Sequence, residues 1–168
     1  RGTPFVGILY AGLMLTDDGP YVLEFNCRLG DPEAQVILPL LASDLVDVVD
    51  ACLAGRLEET ELTWHPGTAV TVVLASGGYP QTYRTSLPIS GLAEAAAVPG
   101  VLVFHAGTRR EGGSVVTAGG RVLNVTGVGE TLAQAVERAY AAVECIHFDG
   151  MHFRTDIGRR WLAQAVTL

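Results

Sequence analysis

Three polar residues at every second position of one segment could together bind a phosphate and a metal ion: Glu24, Asn26 and Arg28. Side chains alternate between two faces along a β-strand, so these three share a face if the segment is extended. Carboxylate and amide oxygens suit Mg²⁺, which usually shares its remaining positions with phosphate and water. The planar guanidinium of Arg28 matches phosphate or carboxylate oxygens. The spacing therefore indicates a site for phosphoryl transfer.

The residues between these three are apolar, and the alternation predicts that they face a hydrophobic core. They are Leu23, Phe25, Cys27 and Leu29. An ordinary amphipathic strand with a solvated polar face has the same alternation, so the pattern alone leaves that interpretation open. The following residues favour a site, because Gly30 permits a sharp turn, Asp31 can cap a helix and Pro32 suits its first position. Ligands often bind where a strand leads into a helix in α/β enzymes.

Two segments near the start of the chain resemble the phosphoribosylamine–glycine ligases, a family of ATP-grasp enzymes also called glycinamide ribonucleotide synthetases. They are Leu9–Thr16 and Leu23–Glu33. Further motifs follow in the family's order at Ala75–Pro80, Phe104–Thr108, Gly119–Leu123 and Arg154–Gly158. Two positions depart from the family: Leu29 replaces a more usual Phe, and Thr85-Ser86 replaces a Lys-Gly type turn. These departures affect packing and a turn, so the resemblance holds over nearly the whole chain.

The resemblance implies ATP-dependent ligation of glycine to 5-phosphoribosylamine, by way of glycyl phosphate, in de novo purine biosynthesis. It implies that Glu24 and Asn26 bind the Mg²⁺ or Mn²⁺ that bridges the ATP phosphates, with Arg28 also contacting the nucleotide. Arg28 and Asp31 are the candidate catalytic residues, Arg28 at the transferred phosphoryl or the glycine carboxylate and Asp31 on the substrate side. Each has a structural alternative: an ion pair of Arg28 with Asp31 or Glu33, and helix capping by Asp31.

Members of this family carry a substrate domain and an ATP-clamping half ahead of the Glu-x-Asn strand, but only a short segment precedes that strand here. All 11 basic residues are Arg, whereas the resemblance implies upstream lysines that hold nucleotide phosphates. We therefore expect about the last two-fifths of a ligase, inactive alone, whose partner is the upstream half of the same ligase and which is monomeric when complete. The alternatives are a non-catalytic C-terminal module and an ATP-grasp carboxylate–amine ligase for another substrate.

The composition excludes several classes of protein. Hydrophobic residues make up 49% and charged residues 17% of the 168 residues, which excludes disorder. A net charge of −7, with no basic cluster beyond Arg109-Arg110 and Arg159-Arg160, argues against a nucleic-acid partner. No window approaches a membrane span. The three cysteines lack the spacing of a metal site, and their odd number and apolar neighbours indicate reduced thiols in a cytoplasmic protein.

The order of elements predicts an α+β protein in two domains. Residues 1–62 form the end of an ATP-grasp domain, an antiparallel hairpin plus helices, and residues 63–168 form a small α+β C-terminal domain with an antiparallel sheet. The hairpin strands are predicted at Val6–Leu15 and Tyr21–Leu29. A short helix is predicted at Asp31–Leu38, and Ser43 should cap another at Asp44–Leu53.

In the second domain, short strands separated by glycine-rich turns precede two helices. The predicted strands are Ala69–Ala75, Leu87–Gly91, Val101–Ala106, Ser114–Ala118 and Arg121–Val128, and residues 115–123 are expected to form a hairpin. The predicted helices are Thr131–Ile146 and Asp156–Val166. In the longer one, Leu132, Val136, Ala139, Tyr140 and Val143 should face the core. His105 could be a general base, but a hydrogen-bonded structural histidine within a strand is the favoured interpretation.

Overall fold

The computed structural model of the chain describes residues 2–165, with side chains as far as Ala163. It divides into two units, residues 1–65 and residues 66–168. Both units combine helices with antiparallel strand pairs, so the predicted α+β class is confirmed. None of the helices in the described part of the chain is long and apolar enough to cross a membrane.

The first unit begins with the antiparallel hairpin of β1 (Tyr10–Thr16) and β2 (Gly19–Asn26). Its ladder starts where Tyr10 pairs with Asn26, so the predicted extension of the strands to Val6 and Leu29 is wrong. Beyond Asn26 the chain bends into a turn, and residues 6–9 have no opposite strand among the described residues.

The helices of the first unit begin later than predicted. Helix α1 is a single turn, Ala34–Ile37, and continues as a 3₁₀ turn at Leu38–Leu40 that contains Pro39. Its N-cap position is Glu33, whose side chain makes no capping bond, so the prediction of Asp31 as the cap is wrong. The reason is that residues 31–33 form a turn of their own before the helix starts.

Helix α2 (Leu45–Leu53) is capped by Asp44, whose carboxylate accepts from the Val46 amide at 2.8 Å. The prediction of Ser43 as the cap is therefore wrong by one residue; Asp and Ser cap helices about equally well. The Ser43 hydroxyl instead accepts from the Thr63 amide at 2.8 Å and so anchors the end of the unit.

In its described part, residues 66–165, the second unit contains five strands and three helices. The strands are β3 (Thr68–Ala75), β4 (Val101–His105), β5 (Thr108–Glu111), β6 (Ser114–Thr117) and β7 (Arg121–Gly129). The helices are α3 (Leu92–Ala96), α4 (Leu132–Cys145) and α5 (Arg159–Ala165). Three strands form an antiparallel sheet in the order β3-β7-β4, and β5 pairs with β6 in a separate hairpin.

Three predictions for the second unit need correction. Residues 87–91 form isolated bridges at Pro88 and Ser90 rather than a strand. The hairpin joins β5 to β6, not residues 115–123, because the turn lies at Gly112-Gly113, where both φ angles are positive. Strand β5 was not predicted, because the polar segment 108–111 lacks strand alternation. Helix α3 was not predicted either. The last helix begins at Arg159 rather than at the predicted Asp156, because residues 157–158 form a turn before it. Its predicted final residue, Val166, lies outside the described residues.

The core of the second unit lies between the three-stranded sheet and α4. Side chains of β3 and β7 that are fully buried include Val72, Leu74, Leu123 and Val125. On α4, the buried face carries Ala135, Ala139, Ala142 and Val143. Of the residues predicted on that face, Ala139 and Val143 are confirmed, and Tyr140 is partly buried and packs against the core. Leu132 and Val136 are only partly buried. Small residues face the sheet because α4 approaches the β7 backbone at Gly127, where an added Cβ would lie 2.6 Å from the Ala139 nitrogen.

Candidate functional site

Glu24 and Asn26 lie side by side on one face of β2. The Asn26 amide donates from Nδ2 to Oε1 of Glu24 at 2.9 Å. Glu24 is exposed and Asn26 is half-buried, so the pair faces the surface of the first unit. The two residues predicted as metal ligands are therefore adjacent, and their polar atoms converge.

The donor atoms of this pair suit a magnesium ion. Mg²⁺ binds oxygen at 2.0–2.1 Å in octahedral geometry, so neighbouring ligand oxygens lie about 2.9 Å apart. The Glu24–Asn26 contact has that separation, and a half-turn of the Asn26 amide would place its oxygen beside the carboxylate. Within residues 2–165 there is no group of three or more His, Cys, Asp or Glu side chains arranged to hold a metal. A set of two protein oxygens fits a cation that also binds phosphate and water.

Arg28 lies just beyond the end of β2 and is exposed. Its guanidinium donates from NH1 to the carbonyl oxygen of Leu29 at 2.9 Å. Neither ion pair considered for it, with Asp31 or with Glu33, occurs among the residues that the structure describes. Because a guanidinium has five N–H donors, further donors remain for an anion.

Asp31 is exposed in the turn between β2 and α1. Its Oδ1 accepts from Nε2 of Gln35 at 2.9 Å, one turn into the helical segment. The Asp31 side chain thus contacts α1 through Gln35. Asp31 and Arg28 both belong to the segment that directly follows the Glu24–Asn26 strand.

Two residues on β1 were missed by the sequence analysis, although they lie next to the predicted ligands. Tyr10 pairs with Asn26 across the hairpin, and Gly12 pairs with Glu24. A Cβ on Gly12 would lie 3.1 Å from Cγ of Glu24, so the absence of a side chain leaves room for the glutamate. The signal that could have found both residues is the hairpin register, because opposite residues in an antiparallel pair share a face.

The Tyr10 hydroxyl donates to Oε1 of Glu33 at 3.1 Å. This hydrogen bond is the main reason that the pKa of Tyr10 is raised, with smaller contributions from burial and from the negative charges of Glu33 and Glu24. The phenol therefore stays protonated at neutral pH and can remain a donor.

The apolar face of β2 does not belong to a core within the described residues, contrary to the prediction. Leu23 is 64% exposed and Phe25 is 59% exposed. The physical reason is that a two-stranded hairpin can bury a face only against another layer. Beside it, a groove of about 530 Å³ is lined by residues 27–29 and by apolar side chains of α2. The first unit thus presents a large unpartnered apolar surface.

His105 is exposed and is the last residue of β4, so it lies at the end of the strand rather than in its middle. Its Nδ1 lies 2.9 Å from the Thr108 hydroxyl oxygen, so the expected hydrogen bond is present. The adjacent Arg109 pairs with Glu111 at 2.8 Å. These contacts support a structural role for His105.

The family model described as "Phosphoribosylglycinamide synthetase, C domain" matches residues 69–160, more than half of the chain. The chain belongs to this family. A second model, for the ATP-grasp (A) domain of phosphoribosylglycinamide synthetase, matches residues 1–34. That segment contains β1, β2 and the Glu24–Asn26 pair. The resemblance found in the sequence motifs is therefore confirmed.

Similar proteins of known name agree with these two family models. The chain is 54% identical over 164 residues to phosphoribosylamine–glycine ligase of Synechocystis, covering 96% of this chain and 39% of that protein. It is also 54% identical to the chicken trifunctional purine biosynthetic protein adenosine-3, covering 97% of this chain and 16% of that protein. The crystal structure of phosphoribosylamine–glycine ligase from Thermotoga maritima superposes with a TM-score of 0.73 at 41% identity, covering 88% of this chain and 36% of that one. The chain thus spans about two-fifths or less of the proteins it matches.

Proposed function

We propose that this chain is part of an ATP-dependent ligase that joins glycine to 5-phosphoribosylamine, giving glycinamide ribonucleotide, ADP and phosphate. The observation that carries the proposal is the Glu24–Asn26 pair, 2.9 Å apart, within the segment that matches the ATP-grasp domain of this family. We assign residues 1–62 to the end of the ATP-grasp domain and residues 63–168 to the C-terminal domain. A cytoplasmic location follows from this function.

Glu24 and Asn26 would hold Mg²⁺ or Mn²⁺, which neutralises charge on the β- and γ-phosphates of ATP. Arg28, whose guanidinium has donors to spare, would bind the transferred phosphoryl group or the glycine carboxylate. Asp31, exposed on the next turn, would lie on the substrate side. These residues act by positioning and by charge neutralisation, which account for much of the acceleration in phosphoryl transfer.

The reaction then needs no covalent link to the protein. A glycine carboxylate oxygen attacks the γ-phosphorus of ATP, and the bond to ADP breaks to give glycyl phosphate and ADP. The amine of phosphoribosylamine attacks the acyl carbon, loses a proton, and expels phosphate as the amide forms. The two steps together convert ATP, glycine and phosphoribosylamine into ADP, phosphate and glycinamide ribonucleotide, so all atoms are accounted for.

The partner of this chain is the upstream half of the same ligase, and the complete protein is a monomer. The apolar surface of the first unit supports this assignment, because Leu15, Leu23 and Leu53 are 79%, 64% and 68% exposed. Large contiguous apolar patches mark interaction sites. The bacterial relative in which this chain covers 39% of the length has enough additional sequence to cover such a surface.

We expect the 168-residue chain alone to release no ADP from Mg-ATP, glycine and phosphoribosylamine, because Glu24, Asn26 and Arg28 are only one edge of a nucleotide site. Equilibrium dialysis should give a dissociation constant for Mg-ATP on the order of millimolar or weaker. Adding the separately expressed upstream half should restore ADP release that depends on all four components, namely Mg²⁺, ATP, glycine and phosphoribosylamine. Omission of each component in turn is the matched control.

Three results would contradict this proposal. Micromolar binding of Mg-ATP by the isolated chain would show that the site is already complete. A reconstituted pair that releases ADP with another amine or acid, and not with glycine, would identify a related ATP-grasp ligase of different substrate. A reconstituted pair that never releases ADP would favour a non-catalytic module.

A further inference from the structure

The Tyr10–Glu33 hydrogen bond joins two segments that are 23 residues apart in the sequence. Tyr10 begins β1, on the face that carries the proposed ligands, since it pairs directly with Asn26. Glu33 follows the Gly30–Asp31–Pro32 segment. The bond therefore connects the metal-binding face of the hairpin to the turn that carries Asp31.

The Glu33 side chain folds back onto Gly30. A Cβ added to Gly30 would overlap the Glu33 carboxylate, with its Cδ at 2.8 Å and its Cβ at 3.0 Å. Gly30 is buried and is not among the glycines with positive φ, so a side chain here would disturb the packing of Glu33 rather than the backbone conformation. The turn is closed further by the Ala34 amide, which donates to the Gly30 carbonyl at 2.9 Å.

The Glu33 carboxylate is thus held on two sides, by the Tyr10 hydroxyl and by the backbone of Gly30. A carboxylate that accepts a hydroxyl hydrogen bond and packs against a closed turn limits the movement of that turn. Arg28 and Asp31 lie on either side of Gly30 in the sequence, so their positions relative to β2 depend on this turn.

We propose that Tyr10 and Glu33 are positioning residues that fix the Gly30–Glu33 turn against the hairpin, and thereby place Arg28 and Asp31 relative to Glu24 and Asn26. Neither residue contacts substrate in this account. The inference rests on the proposed function, because the substrate-side role of Arg28 and Asp31 belongs to it. It predicts a defect in the use of glycine rather than in the binding of the metal.

The test is Tyr10→Phe in the ligase assembled from this chain and the upstream half. Removing only the hydroxyl should raise the KM for glycine about tenfold, because the charged Glu33 side chain of the turn loses its hydrogen bond to the hairpin. The concentration of Mg²⁺ that gives half-maximal rate should change less than about twofold. Glu33→Gln keeps an oxygen acceptor for the phenol and should show a smaller rise in KM. Tyr21→Phe, on the exposed part of the same hairpin, is the matched control and should behave as the parent.

Different outcomes separate the failure of this inference from the failure of the proposed function. An assembled parent protein without ADP release that depends on glycine would overturn the proposed function. A parent with that activity and a Tyr10→Phe variant with an unchanged KM for glycine would overturn only the positioning role. A third outcome is an equal rise in the KM for glycine, in the KM for ATP and in the Mg²⁺ concentration that gives half-maximal rate. Together with a lower melting temperature, it would show that the hydrogen bond merely stabilises the fold.

Discussion

Replacing Glu24 with Gln should lower the turnover of the assembled ligase by about a thousandfold or more, because it removes the charged ligand of the proposed metal pair. The amide keeps the shape of the side chain. It can still form a hydrogen bond with Asn26, whose Nδ2 lies 2.9 Å from Oε1 of Glu24 in the parent protein. The fold should therefore be retained, since Glu24 is exposed. Turnover is measured as release of ADP at saturating glycine and phosphoribosylamine.

The matched control is Glu94→Gln, an exposed glutamate of α3 in the second unit. It makes the same chemical change far along the chain from the proposed ligands, and its turnover should equal that of the parent. Near-normal turnover in the Glu24→Gln protein would contradict the assignment of Glu24 as a metal ligand. A circular dichroism spectrum like that of the parent is needed to exclude unfolding as the cause of any loss.

Replacing Gly127 with Ala should destabilise the second unit by about 3 kcal/mol or more. The added methyl group would overlap the Ala135 carbonyl oxygen and lie 2.6 Å from the Ala139 nitrogen, both of them backbone atoms of α4. Because backbone cannot rotate away as a side chain does, β7 and α4 must separate, and overpacking of this kind costs about 1–3 kcal/mol or more. Such a loss is a large share of the stability of a small domain. Urea unfolding followed by circular dichroism measures it.

Leu102→Ala is the control for this prediction, since Leu102 lies on the neighbouring strand β4 and is 43% exposed. It should reduce the free energy of unfolding by less than about 1 kcal/mol. If Gly127→Ala unfolds at the same urea concentration as the parent, the close approach of α4 to β7 is not what stabilises the unit.

The side-by-side placement of Glu24 and Asn26 could be predicted because it depends only on the period of a β-strand. The hairpin itself was also predictable, since apolar runs flank a turn that contains Gly19. The ends of the two strands could not be predicted, because pairing ends where the chain bends after Asn26.

The roles of Tyr10 and Glu33 could not be predicted for a related reason. Their contact spans 23 residues, and it exists only when β1 and β2 pair in the observed register. Alternation also predicted a core position for Phe25, which is 59% exposed. A pattern shows which face is apolar, but not whether the layer that covers it lies in the same chain.

In the second unit, the pattern of apolar residues located α4 to within one residue at each end. It identified only part of the buried face, because it included the partly buried Leu132 and Val136 and left out Ala135 and Ala142. Size decides this packing: Ala135 and Ala139 are fully buried where Gly127 brings the backbone of β7 close to the helix. Side-chain hydrophobicity alone does not predict such close approach.

The most direct test of the account is to measure Mn²⁺ binding to the assembled ligase in the presence of ATP, following free Mn²⁺ by electron paramagnetic resonance. Mn²⁺ and Mg²⁺ favour the same oxygen ligands. We predict that both Glu24→Gln and Asn26→Ala weaken the binding at least about tenfold, because the first removes the negative charge of one ligand and the second removes the oxygen of the other. Unchanged Mn²⁺ affinity in both variants, with ATP still bound, would contradict the claim that this pair forms the metal site.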